Sequence, residues 1–299
     1  MIRCLLLCLA ICLTAAPGGV KAQAPQTQLY VFDMRMSDTS LTVSNPRYLS
    51  AFNPTGYNNH PNWADRNILY ASVILPGMAQ PDLYRFDLSS NTRERLTDTE
   101  AGEYSPKKMT GGSRFSAVRQ EYVGQDTVLR LWEFPTDLSD NGKPVLPGTN
   151  GVGYYEWLNN AQLALFINAS PNQLVLASTT SGDAPRTLAT NTGRAFTRLT
   201  NGNLVYVDKS SVPYNLVEQN LYRLEEAPRV IAPMAPKTED FILLPDGTFL
   251  AGSGSRLYRL NPADGSGSWR EVVDLSFYGL ERISRLAYNG QNQLALVAE

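Results

Sequence analysis

Short alternations of apolar and polar residues recur along the chain. Four of them resemble one another: QLYVFDM (28–34), DLYRFDL (82–88), NLYRLEE (220–226) and RLYRLNP (256–262). A period of two with aromatic residues included is typical of a half-buried strand. Beyond the first residues, no stretch carries a sustained apolar period of 3.6, so the pattern predicts an all-β protein with almost no helix.

A second pattern places a tight turn between two apolar strands. These turns begin at Asp65, Gly111, Asn159, Asn201, Asp246 and Asn289. Asp, Asn and Gly suit two-residue hairpin turns, because such turns need positive φ angles. Successive turns lie 42 to 48 residues apart, which is the period of a four-stranded propeller blade. Six hairpins therefore predict a six-bladed β-propeller.

The sixth blade is incomplete at the end of the chain, because only two residues follow Leu294–Val297. At the other end, QLYVFDM matches the third strand of a blade but has no inner hairpin before it. We therefore expect residues 28–43 to complete the last blade beside residues 283–297. Such closure would remove the unpaired edges that open sheets must protect.

The first residues have the pattern of a secretory signal. Arg3 precedes an apolar run of 13 residues from Cys4 to Ala16, and small residues flank Lys21. The run is too short to span a bilayer, which needs about 20 apolar residues. Residues 1–22 are thus predicted to be a cleaved signal peptide, and residues 23–299 a single propeller domain that is periplasmic or secreted, with no membrane span.

Composition narrows the chemistry of the predicted domain. All three cysteines, Cys4, Cys8 and Cys12, lie in the predicted signal, so disulfides and thiolate chemistry are not expected after it. The net charge is −2, and loss of Arg3 and Lys21 with the signal would make it −4. Nothing in this balance attracts nucleic acid or an anionic membrane surface.

The first blade resembles a known repeat. HPNWADRNILYAS followed by DLYRFDLSSNTRERLT, within residues 57–97, is similar to the TolB-type, WD40-like (PD40) propeller repeat, and weaker matches extend over most of the chain. TolB carries an α/β domain before its propeller, whereas here the repeat pattern begins soon after the signal. The resemblance implies a periplasmic or exported propeller that binds another molecule, most often a protein or peptide.

The inner strands of a propeller enter its central channel from one face, so equivalent residues should meet at one mouth. Counting back five to eight residues from each turn, with one position deeper in the last blade, gives Asn59, His60, Glu103, Tyr104, Tyr154, Arg194, Glu239, Asp240, Arg282 and Arg285. Arginine suits a carboxylate, and the acidic residues suit an amine. The sequence therefore predicts a binding site for a periplasmic or envelope protein, a peptide or a small polar ligand.

His60 is the only histidine, and it occupies a repeat position that Pro106, Tyr154, Phe196, Phe241 and Ser284 hold in the other blades. No nucleophile and orienting acid accompany it in the sequence, and the glycine-rich stretches GSGSR and GSGSW lack the spacing of a nucleophile elbow. No catalytic residue is predicted. The main hypothesis is a non-catalytic binding protein; the alternative is a propeller-type lyase or hydrolase that uses His60 and a channel cation.

Metal and cofactor sites are not predicted. One histidine, with no cysteine after the signal, excludes an ordinary zinc site of nitrogen and sulfur ligands. An all-oxygen Ca²⁺ site in the channel, formed by Glu103, Glu239 and Asp240, stays open as an alternative.

Two tryptophans share a position that predicts packing rather than binding. Trp63 and Trp157 each lie two residues before a hairpin turn. A large side chain at this position should pack between neighbouring blades.

Overall fold

Four-stranded antiparallel sheets dominate the computed structural model, which describes residues 24–37 and 40–299. In chain order, the first strands are β1 (Gln28–Met36), β2 (Leu41–Tyr48), β3 (Tyr57–Asp65), β4 (Ile68–Ile74), β5 (Asp82–Asp87), β6 (Thr92–Arg95), β7 (Gly102–Lys108), β8 (Arg114–Val123), β9 (Asp126–Pro135), β10 (Lys143–Pro144), β11 (Val152–Trp157) and β12 (Gln162–Ile167). The later strands are β13 (Gln173–Ser178), β14 (Arg186–Thr190), β15 (Thr192–Arg198), β16 (Leu204–Asp208), β17 (Asn215–Gln219), β18 (Arg229–Pro233), β19 (Ile242–Leu243), β20 (Phe249–Ser253), β21 (Arg256–Leu260), β22 (Arg270–Asp274), β23 (Ile283–Tyr288) and β24 (Gln293–Ala298). Two single-turn 3₁₀ helices, Pro262–Asp264 and Ser276–Tyr278, complete the regular structure of this part.

The strands form six blades, so the predicted six-bladed β-propeller is confirmed. Blades one to five are consecutive runs of strands: β3–β6, β7–β10, β11–β14, β15–β18 and β19–β22. Each predicted hairpin turn joins the innermost strand of a blade to its second strand. Blade six has the strand order β2-β1-β24-β23, so it combines the two ends of the described chain.

The pairing of β1 with β24 closes the ring, and we call it the seam. The antiparallel register runs from Gln28 opposite Ala298 to Asp33 opposite Gln293. The predicted completion of the last blade by early residues is therefore confirmed, although β2 extends to Tyr48 rather than ending at residue 43. Closure leaves neither terminal strand as a free sheet edge.

A buried polar contact fixes the residue before β1 to blade one. The side chains of Thr27 and Asn58 are both fully buried. The Asn58 backbone N–H donates to Thr27 Oγ1 at 2.8 Å, and Asn58 Nδ2 donates to the Thr27 carbonyl at 2.7 Å. Buried polar groups are costly when unpaired, so this reciprocal pairing holds the beginning of the propeller in one position.

The apolar core lies between neighbouring blades. Leu29 and Val31 of blade six pack with Leu69 and Val73 of blade one, all without solvent exposure. Similar clusters join the other blades around the ring. Each sheet therefore buries both faces against its neighbours, which explains the apolar runs in the second and third strands.

The two equivalent tryptophans cross these interfaces, as predicted. Trp63 Nε1 of blade one donates to the Ala287 carbonyl of blade six at 3.0 Å. Trp157 Nε1 of blade three donates to Ser116 Oγ of blade two at 3.0 Å. The repeated position thus supplies apolar packing and one satisfied polar contact to the preceding blade.

The predicted signal peptide, residues 1–22, lies outside the described residues and stays a prediction. Within residues 24–37 and 40–299, no helix has the length and apolar character needed to cross a membrane.

The seam should contribute strongly to stability. Val31→Ala removes two fully buried methyl groups from β1 and should lower the free energy of unfolding by about 2 kcal/mol. Val230→Ala is the matched control, because Val230 lies on the outer strand of blade four and is 56% exposed; its effect should stay within about 0.5 kcal/mol. Urea denaturation of both variants measures the difference. Equal stability of the two variants would contradict the importance of the seam.

Candidate functional site

β-Bulges re-aim side chains on the innermost strands. Register shifts occur in five of them, between Asn59 and Asn62, Tyr104 and Lys107, Val152 and Tyr154, Thr192 and Phe196, and Ile283 and Arg285. An extra residue in one strand bends it and changes the direction of a side chain. At two of the bulges, His60 and Ser105 adopt φ angles of 55° and 54°, a conformation that is uncommon for residues other than glycine.

One residue from every blade lies at the rim of the central cavity, at a bulge in five blades and just before β19 in blade five. These six residues, which we call the mouth ring, are His60, Ser105, Tyr154, Arg194, Asp240 and Arg285. The cavity that they line has a volume of about 310 Å³. Five of the ten predicted site residues therefore meet here, and Ser105 is an addition.

The predicted equivalence between blades is wrong in four of them. The ring residues beside His60 are Ser105, Arg194, Asp240 and Arg285; Pro106, Phe196 and Phe241 line the same cavity next to three of them, and Ser284 does not line it. The distance from the ring residue to the hairpin turn varies from four residues in blade six to seven in blade four. His60 and Ser105 lie equally far, three residues, from the paired residues Trp63 and Lys108, but the turn begins two residues after Trp63 and three after Lys108. The segment that leads into the turn therefore varies in length, so a fixed count from the turn does not identify the ring position.

His60 is held by groups of blades one and two. Its Nδ1 accepts a hydrogen bond from the backbone N–H of Ser105 at 2.9 Å, and its Nε2 lies 3.2 Å from the Tyr57 hydroxyl. Burial lowers the pKa of His60 well below its ordinary value, and the positive charges of Arg285 and Arg194 lower it further. The imidazole is therefore neutral at neutral pH.

Arg285 contacts three ring residues. Its Nη2 donates to the Tyr154 hydroxyl at 2.7 Å and lies 3.5 Å from His60 Nε2, while Nη1 lies 3.5 Å from Asp240 Oδ2. The guanidinium also lies over the Tyr154 ring, 5.0 Å from its centre. The ring thus contains a well-oriented cation whose contact with the nearest carboxylate is long.

Arg194 faces the same cavity from blade four. Its Nη2 donates to the Ser284 carbonyl at 3.1 Å, and its distances to Glu239 and Asp240 oxygens are 3.8 and 3.9 Å. Among the described residues, its buried Nε has no hydrogen-bond partner. A buried donor without a partner is costly unless a ligand or water satisfies it.

Two carboxylates moderate this positive charge. Burial raises the pKa of Asp240, whereas Arg285 and Arg194 act to lower it. Glu239 forms an ion pair with Lys209 at 2.8 Å, so the lysine already balances its negative charge. The cavity therefore keeps an excess of positive charge in a chain whose net charge is −2.

The other predicted residues lie beside the ring or away from it. Asn59 is buried, and its Oδ1 accepts from the His60 N–H at 2.8 Å; the Tyr104 ring centre lies 5.9 Å from that of His60. Glu103 is fully buried and pairs with Arg119 at 3.0 Å, outside the set of cavity residues. Arg282 is exposed and pairs with Glu299.

Sequence reasoning missed several residues at the cavity. Tyr57 contacts His60, while Lys107 and Glu156 line the cavity and form an ion pair with each other. Lys107 and Glu156 each lie two residues after a ring residue, Ser105 and Tyr154. The period of two along a strand would have identified both once the ring position was known.

Carboxylates and the histidine do not form a metal-binding group in the described ranges. No cluster of three or more His, Cys, Asp or Glu side chains that could hold a metal ion occurs there. Of the three residues named for a Ca²⁺ site, only Asp240 lines the cavity, while Glu239 pairs with Lys209 and Glu103 with Arg119.

Comparison with known proteins shows the fold. No family model matches the chain, and no curated sequence matches it. Among solved structures, a putative TolB from Agrobacterium tumefaciens aligns with a TM-score of 0.64 and 13% identity over 92% of this chain and 98% of that one. TolB from Acinetobacter baumannii aligns with a TM-score of 0.55 and 14% identity over 92% of this chain and 64% of that one.

A third similar structure is an oligogalacturonate lyase in complex with manganese, with a TM-score of 0.53 and 13% identity over 87% of this chain and 82% of that one. The chain spans less than two thirds of the Acinetobacter protein. At these identities the likeness concerns architecture alone. The chain has the fold of TolB-like six-bladed β-propellers.

Proposed function

We propose that this chain is an exported, non-catalytic propeller that binds a ligand with an anionic group at the mouth ring. Export rests on the N-terminal sequence pattern. Similar folds occur in TolB proteins and in a lyase. The fold alone is therefore compatible with a binding protein and with an enzyme. The observation that carries the proposal is the presence of two guanidiniums, Arg194 and Arg285, at one cavity.

The two arginines have more donors than acceptors around them. Each guanidinium carries five N–H donors. Among the described residues, their short contacts are the Tyr154 hydroxyl and the Ser284 carbonyl, at 2.7 and 3.1 Å. The contacts with Asp240, at 3.5 and 3.9 Å, are longer than the usual 2.7–2.9 Å of a charge-assisted hydrogen bond. A carboxylate or similar anion would supply the missing acceptors.

The contacts of His60 favour binding over the lyase or hydrolase alternative. Because Nδ1 accepts from the Ser105 N–H, we infer that the neutral ring carries its proton on Nε2. In that tautomer the only lone pair is already used, so His60 has none with which to accept a proton from a substrate. Its Nε2–H points instead to the Tyr57 hydroxyl.

The tautomer and the pKa of His60 can be measured directly, because it is the only histidine. In tag-free protein, ¹⁵N-edited NMR should give one imidazole signal, with the proton on Nε2 and a pKa well below the ordinary value of 6.5. Burial beside Arg285 and Arg194 is the reason. A signal that titrates with a midpoint near 6.5 would contradict this environment.

The same pKa shift makes stability depend on pH. The unfolded chain takes up a proton on His60 near pH 6.5, whereas the folded protein does not until a lower pH. The free energy of unfolding should therefore fall as the pH drops below 6.5, by up to about 1.4 kcal/mol per pH unit from this residue. His60→Asn is the control, since Asn tolerates positive φ and does not titrate. Identical pH slopes for both proteins in urea denaturation would refute the linkage.

Anion binding can be tested with acetate, using the His60 signal as the probe. At constant ionic strength, acetate should shift this signal with a roughly millimolar dissociation constant, as expected for a small ion. Acetamide, its neutral counterpart, should not. Arg194→Gln should weaken acetate binding about tenfold, because it removes one charged donor group.

Arg282→Gln is the matched control, since Arg282 is an exposed arginine paired with Glu299 and does not line the cavity. It should bind acetate as the parent protein does. Equal responses to acetate and acetamide, or unchanged binding in Arg194→Gln, would refute the proposal.

A further inference from the structure

The central cavity has a second layer of side chains beneath the mouth ring. It consists of the residues two positions after each ring residue, and all of them line the same cavity: Asn62, Lys107, Glu156, Phe196, Ile242 and Ala287. Each blade continues from its ring residue toward its hairpin turn, so these side chains lie deeper in the cavity than the ring. We call these six residues the second layer.

The second layer differs between the two halves of the cavity. On blades one to three it is polar, and Lys107 and Glu156 form an ion pair with each other. On blades four to six it is apolar, with Phe196, Ile242 and Ala287. The charges of the polar half balance each other, so the apolar half is the place where burial of an apolar group of a ligand is favourable.

Both arginines of the ring lie over the apolar half, on either side of Asp240. They belong to blades four and six, and Asp240 belongs to blade five between them. Arg194 Nη2 and Arg285 Nη1 approach the same oxygen, Oδ2, at 3.9 and 3.5 Å. Within residues 24–37 and 40–299, the other oxygen of Asp240, Oδ1, accepts no hydrogen bond. Three neighbouring blades therefore present donors on two sides and an acceptor between them.

Asp240 restricts the kind of anion that fits this arrangement. A carboxylate that reaches both guanidiniums also comes close to the Asp240 carboxylate, and like charges repel strongly in a partly buried site. An ammonium group on the same ligand is attracted to Asp240 and can donate a hydrogen bond to Oδ1. The order of positive, negative and positive charge on the three blades thus matches a ligand that carries a carboxylate next to an ammonium.

The volume of the cavity limits the size of the ligand. Small-molecule sites usually have volumes of about 300–1,000 Å³. The central cavity, at about 310 Å³, lies at the lower end of this range. It therefore suits a molecule the size of a single amino acid better than a longer peptide.

We propose that the ligand is a free α-amino acid with an apolar side chain. Its carboxylate binds Arg194 and Arg285, its ammonium donates to Asp240, and its side chain lies against Phe196 and Ile242. An α-carbon carries these three groups together, as their clustering on three neighbouring blades requires. The inference rests on the proposed anion-binding function and adds the class of ligand.

Leucine and three related compounds test this inference, because each relative lacks one of the three groups. 4-Methylpentanoate lacks the ammonium, leucinamide lacks the carboxylate, and glycine lacks the apolar side chain. Titrations at pH 7 and constant ionic strength, followed by the NMR signal of His60, should show each relative binding about tenfold more weakly than leucine. Each loses either one charge-assisted contact or the burial of one side chain.

Asp240→Asn tests the ammonium contact. The substitution should remove most of the tenfold preference for leucine over 4-methylpentanoate, because the asparagine carries no negative charge. Asp126→Asn is the matched control, since Asp126 is exposed at the start of β9 and does not line the cavity. It should keep the preference of the parent protein.

Ile242→Thr tests the apolar half of the second layer. It should reduce the preference for leucine over glycine by about threefold or more, because it replaces part of the apolar contact with a hydroxyl. Ile231→Thr is the matched control, since Ile231 is also partly buried but lies on β18 outside the cavity. An unchanged His60 signal in the ligand-free variants confirms that their folds are intact.

The outcomes distinguish this inference from the proposed function. Equal binding of leucine and any one of its three relatives overturns the amino-acid inference, as does an unchanged preference in Asp240→Asn. In each case a saturable response to acetate still supports anion binding at the ring, whereas absence of the acetate response as well refutes both.

Discussion

Closure of the ring by β1 and β24 is the interaction on which the rest of the molecule depends. The seam joins the two ends of the described chain inside blade six through a continuous antiparallel register. The buried pairing of Thr27 with Asn58 then ties the beginning of β1 to blade one. Closure at the seam thus keeps blade six beside blade one, where Arg285 of blade six lies 3.5 Å from His60 of blade one.

The residues of the site lie where the inner strands depart from regular sheet geometry. Bulges in five of the inner strands turn a side chain toward the axis, and two of these residues have an uncommon backbone conformation. The outcome is a small cavity in which two arginines face one partly buried aspartate and a neutral histidine. Local irregularity of this kind is frequent where a rigid fold carries function.

The architecture could be predicted from sequence because it depends on repetition. Turns such as Asn201-Gly202 and Asp246-Gly247 mark each inner hairpin, and their spacing sets the number of blades. The split last blade followed from counting strands, since QLYVFDM lacked an inner hairpin. The predicted number of blades is insensitive to small errors, because misplacing one residue does not change the number of strands.

The site was harder to predict because it depends on single-residue offsets and on pairing. Ser105 was missed, and Pro106 chosen instead, because the segment between the inner strand and its turn is one residue longer in blade two than in blade one. Glu103 is removed from the channel by Arg119, its direct neighbour on the adjacent strand, and Arg282 by Glu299 near the end of the chain. These contacts join residues that no local pattern connects.

A ring of side chains drawn from all six blades has a mechanical consequence. Any molecule that bonds Arg194 and Arg285 together acts as a brace between blade four and blade six, and through Arg285 it lies beside His60 of blade one. Opening of the ring at the seam would part Arg285 from His60 and so disturb the site that holds such a molecule. Ligand binding at the axis and closure of the ring are therefore thermodynamically linked. The propeller with a bound ligand should open less readily than the propeller without one.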